Sequence, residues 1–297
     1  MAKNFPEVWE SRVREKLTSE NVAPWLDNIT ELDSDVHTLG EGTATEQNII
    51  HIPIETFSPE VLINNSTYPI EIQEYEDGTK SIALDKYQTK ATSISDDAAM
   101  GASYNKIDTA TKGHVTQITS TKYKKAAHAI APAQNTNTTP VLVLKADYSS
   151  QDLLDAFVDL KNAFDKAQIP PFGRRLVLAT DHSNVLLKDR QRFANLFVDH
   201  NTGKFNQVIS GFEVYEYVAN PFYDVTGKKV PYGSVPGDDA KVASFAFWTE
   251  NIGKKTGNTK QYFSPAFANP TTQTNLINYR HYFIAMPVQN QAIGAII

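Results

Sequence analysis

The chain has 297 residues, which is enough to bury one large hydrophobic core or two smaller ones. It contains no cysteine, which excludes disulfides, thiolate metal sites and cysteine nucleophiles and suits a reducing cytoplasm. Acidic residues outnumber basic ones by 34 to 28, and this net charge of −6 disfavours a dedicated nucleic-acid binder, which needs concentrated positive charge.

The first part of the chain predicts an extended arm. Pro6–Leu17 reads as a short amphipathic helix, because apolar side chains such as Val8 and Trp9 recur at helical spacing. Beyond it, short apolar runs such as Trp25-Leu26 are separated by prolines and polar residues. Such a segment is too apolar for a disordered tail, and long segments with little periodic structure often serve binding. We expect it to lie extended over its own body or over a neighbouring chain.

Residues 70–90 predict a β-hairpin. Ile70 and Ile72 alternate with polar residues, as do Ile82 and Leu84. Between them, Glu76-Asp77-Gly78-Thr79 contains the Asp-Gly pair that type I′ turns favour. Two strands alone are at best marginally stable in water, so this hairpin must pack on its own domain or on another chain.

A long helix is predicted over Asp96–Ile130, with Ser95 as its N-cap and Pro132 preventing its continuation. Two glycines and many threonines weaken its helix propensity, so we expect it to depend on tertiary packing. Residues 133–140 are polar and predict a linker between domains. The predicted buried face of the helix consists of Tyr104, Ile107, Thr111, His114 or Val115, and Ile118.

The remaining chain alternates strands and helices in the manner of an α/β domain. Ser149 or Ser150 caps a helix that ends before Pro170, and Thr180 or Asp181 caps the next one. Gly253–Lys260 is expected to be a hairpin turn, and the apolar end of the chain is expected to dock. The predicted strands are Val141–Leu144, Leu176–Ala179, Gly211–Val218, Val242–Thr249, Gln261–Ala266 and Asn278–Val288.

No combination of residues predicts catalysis or a cofactor. Asp181-His182-Ser183 contains the three residue types of a hydrolytic triad, but triad partners meet from distant parts of a fold, so a helix cap is the better interpretation. There is no Gly-x-Ser-x-Gly elbow and no Gly-x-Gly-x-x-Gly fingerprint. We therefore predict no catalytic residues, no cofactor-binding residues and no enzyme activity.

Metal, membrane and nucleic-acid sites are also not expected. No apolar run approaches the ~20 residues that cross a bilayer, and no secretory signal is evident. Lys122-Tyr123-Lys124-Lys125 could touch nucleic acid, but a solvated helix end is the favoured interpretation, because four residues cannot carry much affinity. The seven histidines show no short metal-ligand spacing: His37, His51, His114, His128, His182, His200 and His281.

Three passages resemble one known family. The tailed-bacteriophage major capsid proteins, with the Hong Kong 97-like fold, contain a Gly-Arg-x-Leu-Val-Leu strand, then Asp-His-x-Asn-x-Leu-Leu, then Gly-Phe-x-Val-Tyr. Similar passages flank these at residues 90–97, 125–132 and 279–297, so the likeness spans about residues 90–297 in the expected order. In this chain the three central passages are Gly173–Leu178, Asp181–Leu187 and Gly211–Tyr215.

The resemblance implies an α+β fold with four parts. Residues 1–69 would be an N-terminal arm and 70–92 an extended loop that reaches over the next subunit. Residues 93–132 with 240–268 would form a peripheral domain with a long spine helix. Residues 133–239 with 269–297 would form an α/β axial domain around hexamer and pentamer centres.

The implied function is a structural one. Copies of the chain would build the hexamers and pentamers of an icosahedral shell that encloses double-stranded DNA without reading its sequence. Separate scaffolding, portal and decoration proteins would be partners, with assembly in the host cytoplasm. The residues expected to contact a neighbouring copy are the loop tip, Glu76, Asp77, Gly78, Thr79 and Lys80, and the arm residues Val8, Trp9, Trp25 and Leu26.

Two alternatives remain open at this point. An encapsulin-like cellular nanocompartment would share the fold but enclose enzymes instead of DNA. An enzyme with a small α/β domain would instead have a deep pocket with converging polar groups. Lys80, Lys86 and Lys90 lie in or near the hairpin, but lysines are common on exposed strand edges, and nothing in the sequence establishes a cross-link between subunits.

Overall fold

The computed structural model describes residues 23–41, 45–55, 77–189, 198–199, 204–205, 208–269 and 271–297. The helices in these ranges are α1 (Asp96–Ile130), α2 (Ser150–Lys166) and α3 (Thr180–Lys188), and one-turn 3₁₀ helices lie at Pro24–Leu26, Thr249–Asn251 and Ala266–Ala268. The strands are β1 (His37–Leu39), β2 (Gln47–Glu55), β3 (Asp77–Ala83), β4 (Asp85–Gln88), β5 (Thr92–Ser95), β6 (Val141–Leu142), β7 (Arg174–Leu178), β8 (Val198–Asp199), β9 (Lys204–Phe205), β10 (Val208–Ile209), β11 (Phe212–Glu216), β12 (Phe222–Tyr223), β13 (Lys241–Val242), β14 (Ser244–Trp248), β15 (Ile252–Ser264), β16 (Thr274–Pro287) and β17 (Ile293–Ile296).

A six-stranded mixed sheet in the order β10-β11-β7-β14-β17-β6 forms one half of the core. Strands β7 and β11 are parallel, and β14 runs antiparallel to β7. All five residues of β7 are buried, as expected for a central strand. Helix α2 packs on this sheet through side chains at helical spacing: Leu153, Phe157, Leu160 and Phe164.

A second sheet, β15-β16-β4 with β5 also paired to β16, carries the long helix. Val115 and Ile118 of α1 pack in the same core as Tyr279 and Phe283 of β16. Thr111 Oγ1 lies 3.2 Å from the Tyr279 hydroxyl in a buried hydrogen bond. A third sheet, β1-β2-β3, closes a smaller apolar cluster consisting of Ile50, Ile52, Leu84, Tyr282 and Ile284.

Several sequence predictions are confirmed. Helix α1 has the predicted bounds, Asp96–Ile130, although the Ser95 side chain makes no capping hydrogen bond. Ser149 and Asp152 form a reciprocal capping box at the start of α2. The apolar end of the chain docks as β17, between β14 and β6.

The predicted hairpin turn at Glu76–Thr79 is wrong. Asp77 and Gly78 lie inside β3, where they pair with Glu55 and Ile54 of β2. The Asp-Gly signal is local, whereas seven residue pairs with β2 hold this segment extended. The chain that connects β2 to β3 lies outside the described residues, as does the predicted strand Ile70–Ile72.

The predicted turn at Gly253–Lys260 is also wrong. These residues continue β15, which pairs with β16 from Ile252 to Ser264 and shifts register between Thr256 and Thr259. Gly257 serves packing there, because a Cβ atom would lie 2.8 Å from Cβ of Tyr282. Gly257 therefore marks a close approach between two chain segments and not a hairpin turn.

The division into peripheral and axial parts stays a prediction, and two strands pair across its boundaries. Ser244–Trp248 was assigned to the peripheral part but belongs to the six-stranded sheet. Thr274–Pro287 was assigned to the axial part but forms the centre of the sheet that packs on α1. Strand β14 pairs with β7 and β17, which lie far from it in sequence, whereas β16 pairs chiefly with the neighbouring β15 and also with β4 and β5.

Candidate assembly surfaces

The N-terminal segment is anchored in the body of the chain by Trp25. This side chain is 0% exposed, and its ring lies 5.5 Å from the rings of Tyr217 and Phe245 in edge-on contacts. Leu26 is buried in the same core. Folding of one chain already removes Trp25 and Leu26 from solvent, and their predicted contact with a neighbouring subunit stays a prediction.

Arg175 of β7 fixes the path of this segment. Its Nη1 donates to the carbonyl oxygens of Trp25 at 2.9 Å and Asp27 at 2.7 Å. Its Nε lies 3.2 Å from a carboxylate oxygen of Glu213. Such charge-assisted bonds are stronger than neutral ones, so the buried guanidinium is a firm attachment point.

The segment then runs along β15. The amide of Leu32 donates to the carbonyl of Lys254 at 2.9 Å, and Lys255 Nζ donates to the carbonyl of Leu32 at 2.9 Å. Lys254 Nζ donates to the carbonyl of Leu26 at 3.1 Å. Two lysines that were predicted to occupy a solvated turn therefore hold the arm in place.

Glu46 provides a second anchor, on the α1-bearing sheet. Its carboxylate is 0% exposed and lies 3.0 Å from Lys260 Nζ and 3.7 Å from Arg280 Nη1. The Tyr282 hydroxyl donates to the Glu46 carbonyl at 3.0 Å. The hydrogen bond to Glu46 raises the pKa of Lys260, which favours the charged pair.

Strand β3 lies in the predicted extended loop, residues 70–92, and pairs with β2 of the predicted arm to form a β2–β3 ribbon. Its pairing runs from Ile49 opposite Ala83 to Glu55 opposite Asp77, and Ile50, Ile52 and Ile82 pack in the apolar cluster around Tyr282. Of the predicted contact residues, Asp77, Gly78, Thr79 and Lys80 lie in β3, and Thr79 is exposed. Glu76, Val8 and Trp9 lie outside the described residues, as does the predicted helix at Pro6–Leu17.

The base of the ribbon is tied to α1. Lys125 Nζ lies 2.6 Å from a carboxylate oxygen of Asp85, the first residue of β4. Tyr87, two residues on, is buried, and burial together with the Asp85 charge raises the pKa of its phenol. The ribbon therefore leaves the body from a fixed point.

The basic sequence near the end of α1 presents only part of its charge to solvent. Lys122 is 3% exposed, and its Nζ lies 4.9 Å from the ring centre of Tyr123 and 5.0 Å from that of Phe283. Burial lowers its pKa to about 8. Since Lys125 is paired with Asp85, only Lys124 is fully exposed, and the predicted solvated helix end is wrong for Lys122.

His182 forms a hydrogen bond with Ser244 and not with its sequence neighbour Ser183. Its Nδ1 lies 2.7 Å from Oγ of Ser244, which also accepts from the amide of Ala179 at 2.8 Å. Both side chains are buried, and burial lowers the pKa of His182 to about 4. Ser183 instead donates to the carbonyl of Thr180, and neither predicted cap residue of α3 makes a capping bond.

Within the described ranges, no cluster of histidines and carboxylates could hold a metal ion. No helix in those ranges is long and apolar enough to span a membrane. Sequence reasoning missed Arg175 and Glu46 as anchors. Arg175 stands directly before the apolar strand residues Leu176–Leu178, which is a signal, whereas Glu46 sits in a polar stretch that gives none.

Comparison with known proteins gives a family and a fold. A family model described as phage capsid protein matches residues 76–295, whereas a search of curated proteins finds no match. Among solved structures, a chain of Mycobacterium phage Che8 superposes with a TM-score of 0.59 at 14% identity, over 88% of this chain and 92% of that one. The capsid structure of Cyanophage P-SCSP1u gives 0.59 at 14% identity, over 84% and 82%.

A third superposition, on a virus-like particle from Pyrococcus furiosus, has a TM-score of 0.55 at 8% identity and covers 99% of both chains. At such identities the superpositions bear on the fold, which is the Hong Kong 97-like capsid fold. The family model spans well over half of the sequence, and the chain belongs to the phage capsid protein family, with a structural role in a capsid.

Proposed function

We propose that copies of this chain assemble into the hexamers and pentamers of an icosahedral shell that encloses double-stranded DNA. The observation that carries this proposal is the β2–β3 ribbon. Ile50, Ile52 and Ile82 of the ribbon pack in the apolar cluster around Tyr282, the Asp85–Lys125 ion pair ties its base to α1, and its strand pairing runs on to Glu55 opposite Asp77. A two-stranded ribbon is marginal alone, so its outer part needs another chain to pack on.

The contact residues follow from this arrangement. Asp77–Lys80 at the outer end of β3 contact the next copy in the ring, and Glu76, Val8 and Trp9 do the same. The axial part consists of the six-stranded sheet with α2 and α3. The peripheral part consists of α1 with β4, β5, β15 and β16.

The expected partners are those of a shell that encloses DNA. The net charge of −6 keeps a shell wall from adhering to the DNA inside it, so packaging needs no sequence reading. Separate scaffolding, portal and decoration proteins complete the particle, which assembles in the host cytoplasm.

A second candidate is an encapsulin-like nanocompartment that encloses proteins. The observation that favours it is the superposition on the Pyrococcus furiosus virus-like particle, which covers 99% of both chains. The contents of the shell separate the two candidates, since the shared fold does not.

The test is electron microscopy of the purified protein, expressed alone and together with its genomic neighbours. Closed shells that contain DNA would support the capsid, and shells filled with a cellular enzyme would support the nanocompartment. A protein that stays monomeric at high concentration, whether expressed alone or with its genomic neighbours, would exclude both the capsid and the nanocompartment and favour the enzyme alternative.

A further inference from the structure

The loop before β7 presents a large aromatic side chain to solvent. Phe172 is 70% exposed and stands between Pro171 and Gly173. Isolated exposed apolar residues are ordinary on protein surfaces. This one differs because the loop that carries it is held rigidly from the inside.

Arg174 holds one side of the loop. Its side chain is buried, its Nε donates to the carbonyl of Pro170 at 2.9 Å, and its Nη2 donates to the carbonyl of Ile169. Its Nη1 lies 2.8 Å from a carboxylate oxygen of Asp165 in α2, which balances the charge.

The six-stranded sheet holds the other side. The indole Nε1 of Trp248 donates to the carbonyl of Phe172 at 3.2 Å, and the amide of Thr249 donates to the carbonyl of Gly173 at 2.9 Å. Gly173 has φ of 73°, and a Cβ there would lie 2.6 Å from Oγ1 of Thr249. A loop ordered in advance in this way loses little conformational entropy on binding.

The same chain carries a surface that can receive an aromatic ring. A cleft of about 250 Å³ is lined by Pro221, Phe222, Pro231 and Pro236 among others. It follows the C-terminal end of β11, whereas Phe172 precedes the N-terminal end of β7. Because β7 and β11 are parallel, the two features lie at opposite ends of the pair. In a cyclic oligomer each subunit contacts its two neighbours through two different surface patches. The exposed Phe172 side chain and the distant cleft are two such patches.

We propose that Phe172 is an anchor of subunit contact, packing into the Pro221–Pro236 cleft of a second copy of the chain. This inference rests on the proposed function in needing self-association. Aromatic side chains are enriched where protein interfaces lose contact with water, and few such anchors supply most of the binding energy.

Replacement tests the anchor. F172A is expected to raise the protein concentration needed for assembly by about tenfold or more, whereas F172W retains assembly. V158A removes an exposed apolar side chain from α2 and serves as the matched control, with no change expected. Thermal unfolding of unassembled subunits should agree among all four proteins, and unchanged assembly of F172A would overturn the proposal.

A photo-cross-linker identifies the occupant. Benzoylphenylalanine at position 172 is expected to cross-link to a second copy within residues 219–236 or at Lys124 or His128, which line the same cleft, as mapped by mass spectrometry. Cross-links elsewhere on the second copy, or only to another protein, would overturn the assignment. If the wild type forms shells but the benzoylphenylalanine variant gives no cross-link, this inference alone fails. If the wild type never self-associates, the inference fails together with the proposed function.

Discussion

Glu46 and His182 are both closed off from water, and the fold treats their charges in opposite ways. Glu46 keeps its charge beside Lys260 and Arg280, while His182 is held neutral against Ser244. A buried ion is tolerated only when it is paired, and an unpaired titratable group gives up its charge instead. The stability of the folded chain therefore depends on the ion pairs of Glu46 and on the protonation state of His182.

Replacing His182 should remove a source of acid sensitivity. Its folded pKa of about 4 lies below the usual 6.5, so its contribution is fully present above pH 6.5 and is lost as the pH falls towards 4. The loss amounts to about 3 kcal/mol at most. Urea unfolding of H182N between pH 7.5 and 4.5 should show a flatter pH dependence than the wild type. An equal slope, with exposed His51→Asn as control, would contradict this.

Glu46→Gln should destabilise the chain by about 3 kcal/mol, because it leaves two cations without their buried counter-charge. Glu41 approaches the same Lys260 at 3.7 Å but is 77% exposed, so Glu41→Gln should cost less than about 1 kcal/mol. The free energy of unfolding, measured with urea at neutral pH, compares the two. Equal effects would show that burial of Glu46 is not what matters.

At the scale of elements, helices were predictable and strand continuity was not. The bounds of α1 and the cap of α2 follow from Ser149, Pro132 and similar local signals. Strands β3 and β15 each cross a sequence that favours a turn, because their partners β2 and β16 hold them extended. The anchors of the arm were unpredictable for the same reason, since Trp25 and Arg175 are close only in the folded chain.

Gly257→Ala tests why β15 tolerates a glycine. The new Cβ would lie 2.7 Å from Nδ2 of Asn48 and 2.8 Å from Cβ of Tyr282, so overpacking should cost about 1–3 kcal/mol. Gly237 has nothing within 4 Å of the same construction, and Gly237→Ala should change stability by less than about 0.5 kcal/mol. Thermal unfolding of both variants measures the difference. Similar midpoints would mean that β15 moves enough to accommodate the added Cβ at position 257 without loss of stability.

At the scale of the whole molecule, the arm connects the two large sheets. Trp25 is fixed on the six-stranded sheet, and Glu46 is fixed on the sheet that carries α1. Between them the chain follows β15 through its backbone and through two lysines. One covalent segment therefore limits how far the two sheets can move relative to each other.

Trp25→Ala should loosen this connection. Truncation of a fully buried tryptophan costs about 3–5 kcal/mol, and the arm should become a target for proteases before the rest of the chain unfolds. Limited proteolysis with mass mapping would show early cleavage near residues 23–41. Phe267→Ala, at a side chain that is 89% exposed, is the control and should leave the cleavage pattern unchanged. Identical digestion of both variants would argue against anchoring by Trp25.

The contact of Trp25 with Phe245 can form only late in synthesis of the chain. The ribosome makes the arm first, but it makes the surface that covers Trp25 only about 220 residues later. At synthesis rates of roughly 5–20 residues per second, the indole stays uncovered for on the order of ten seconds or more. During that interval the nascent chain offers an apolar segment to chaperones, and no subunit can complete its body until β14 has emerged.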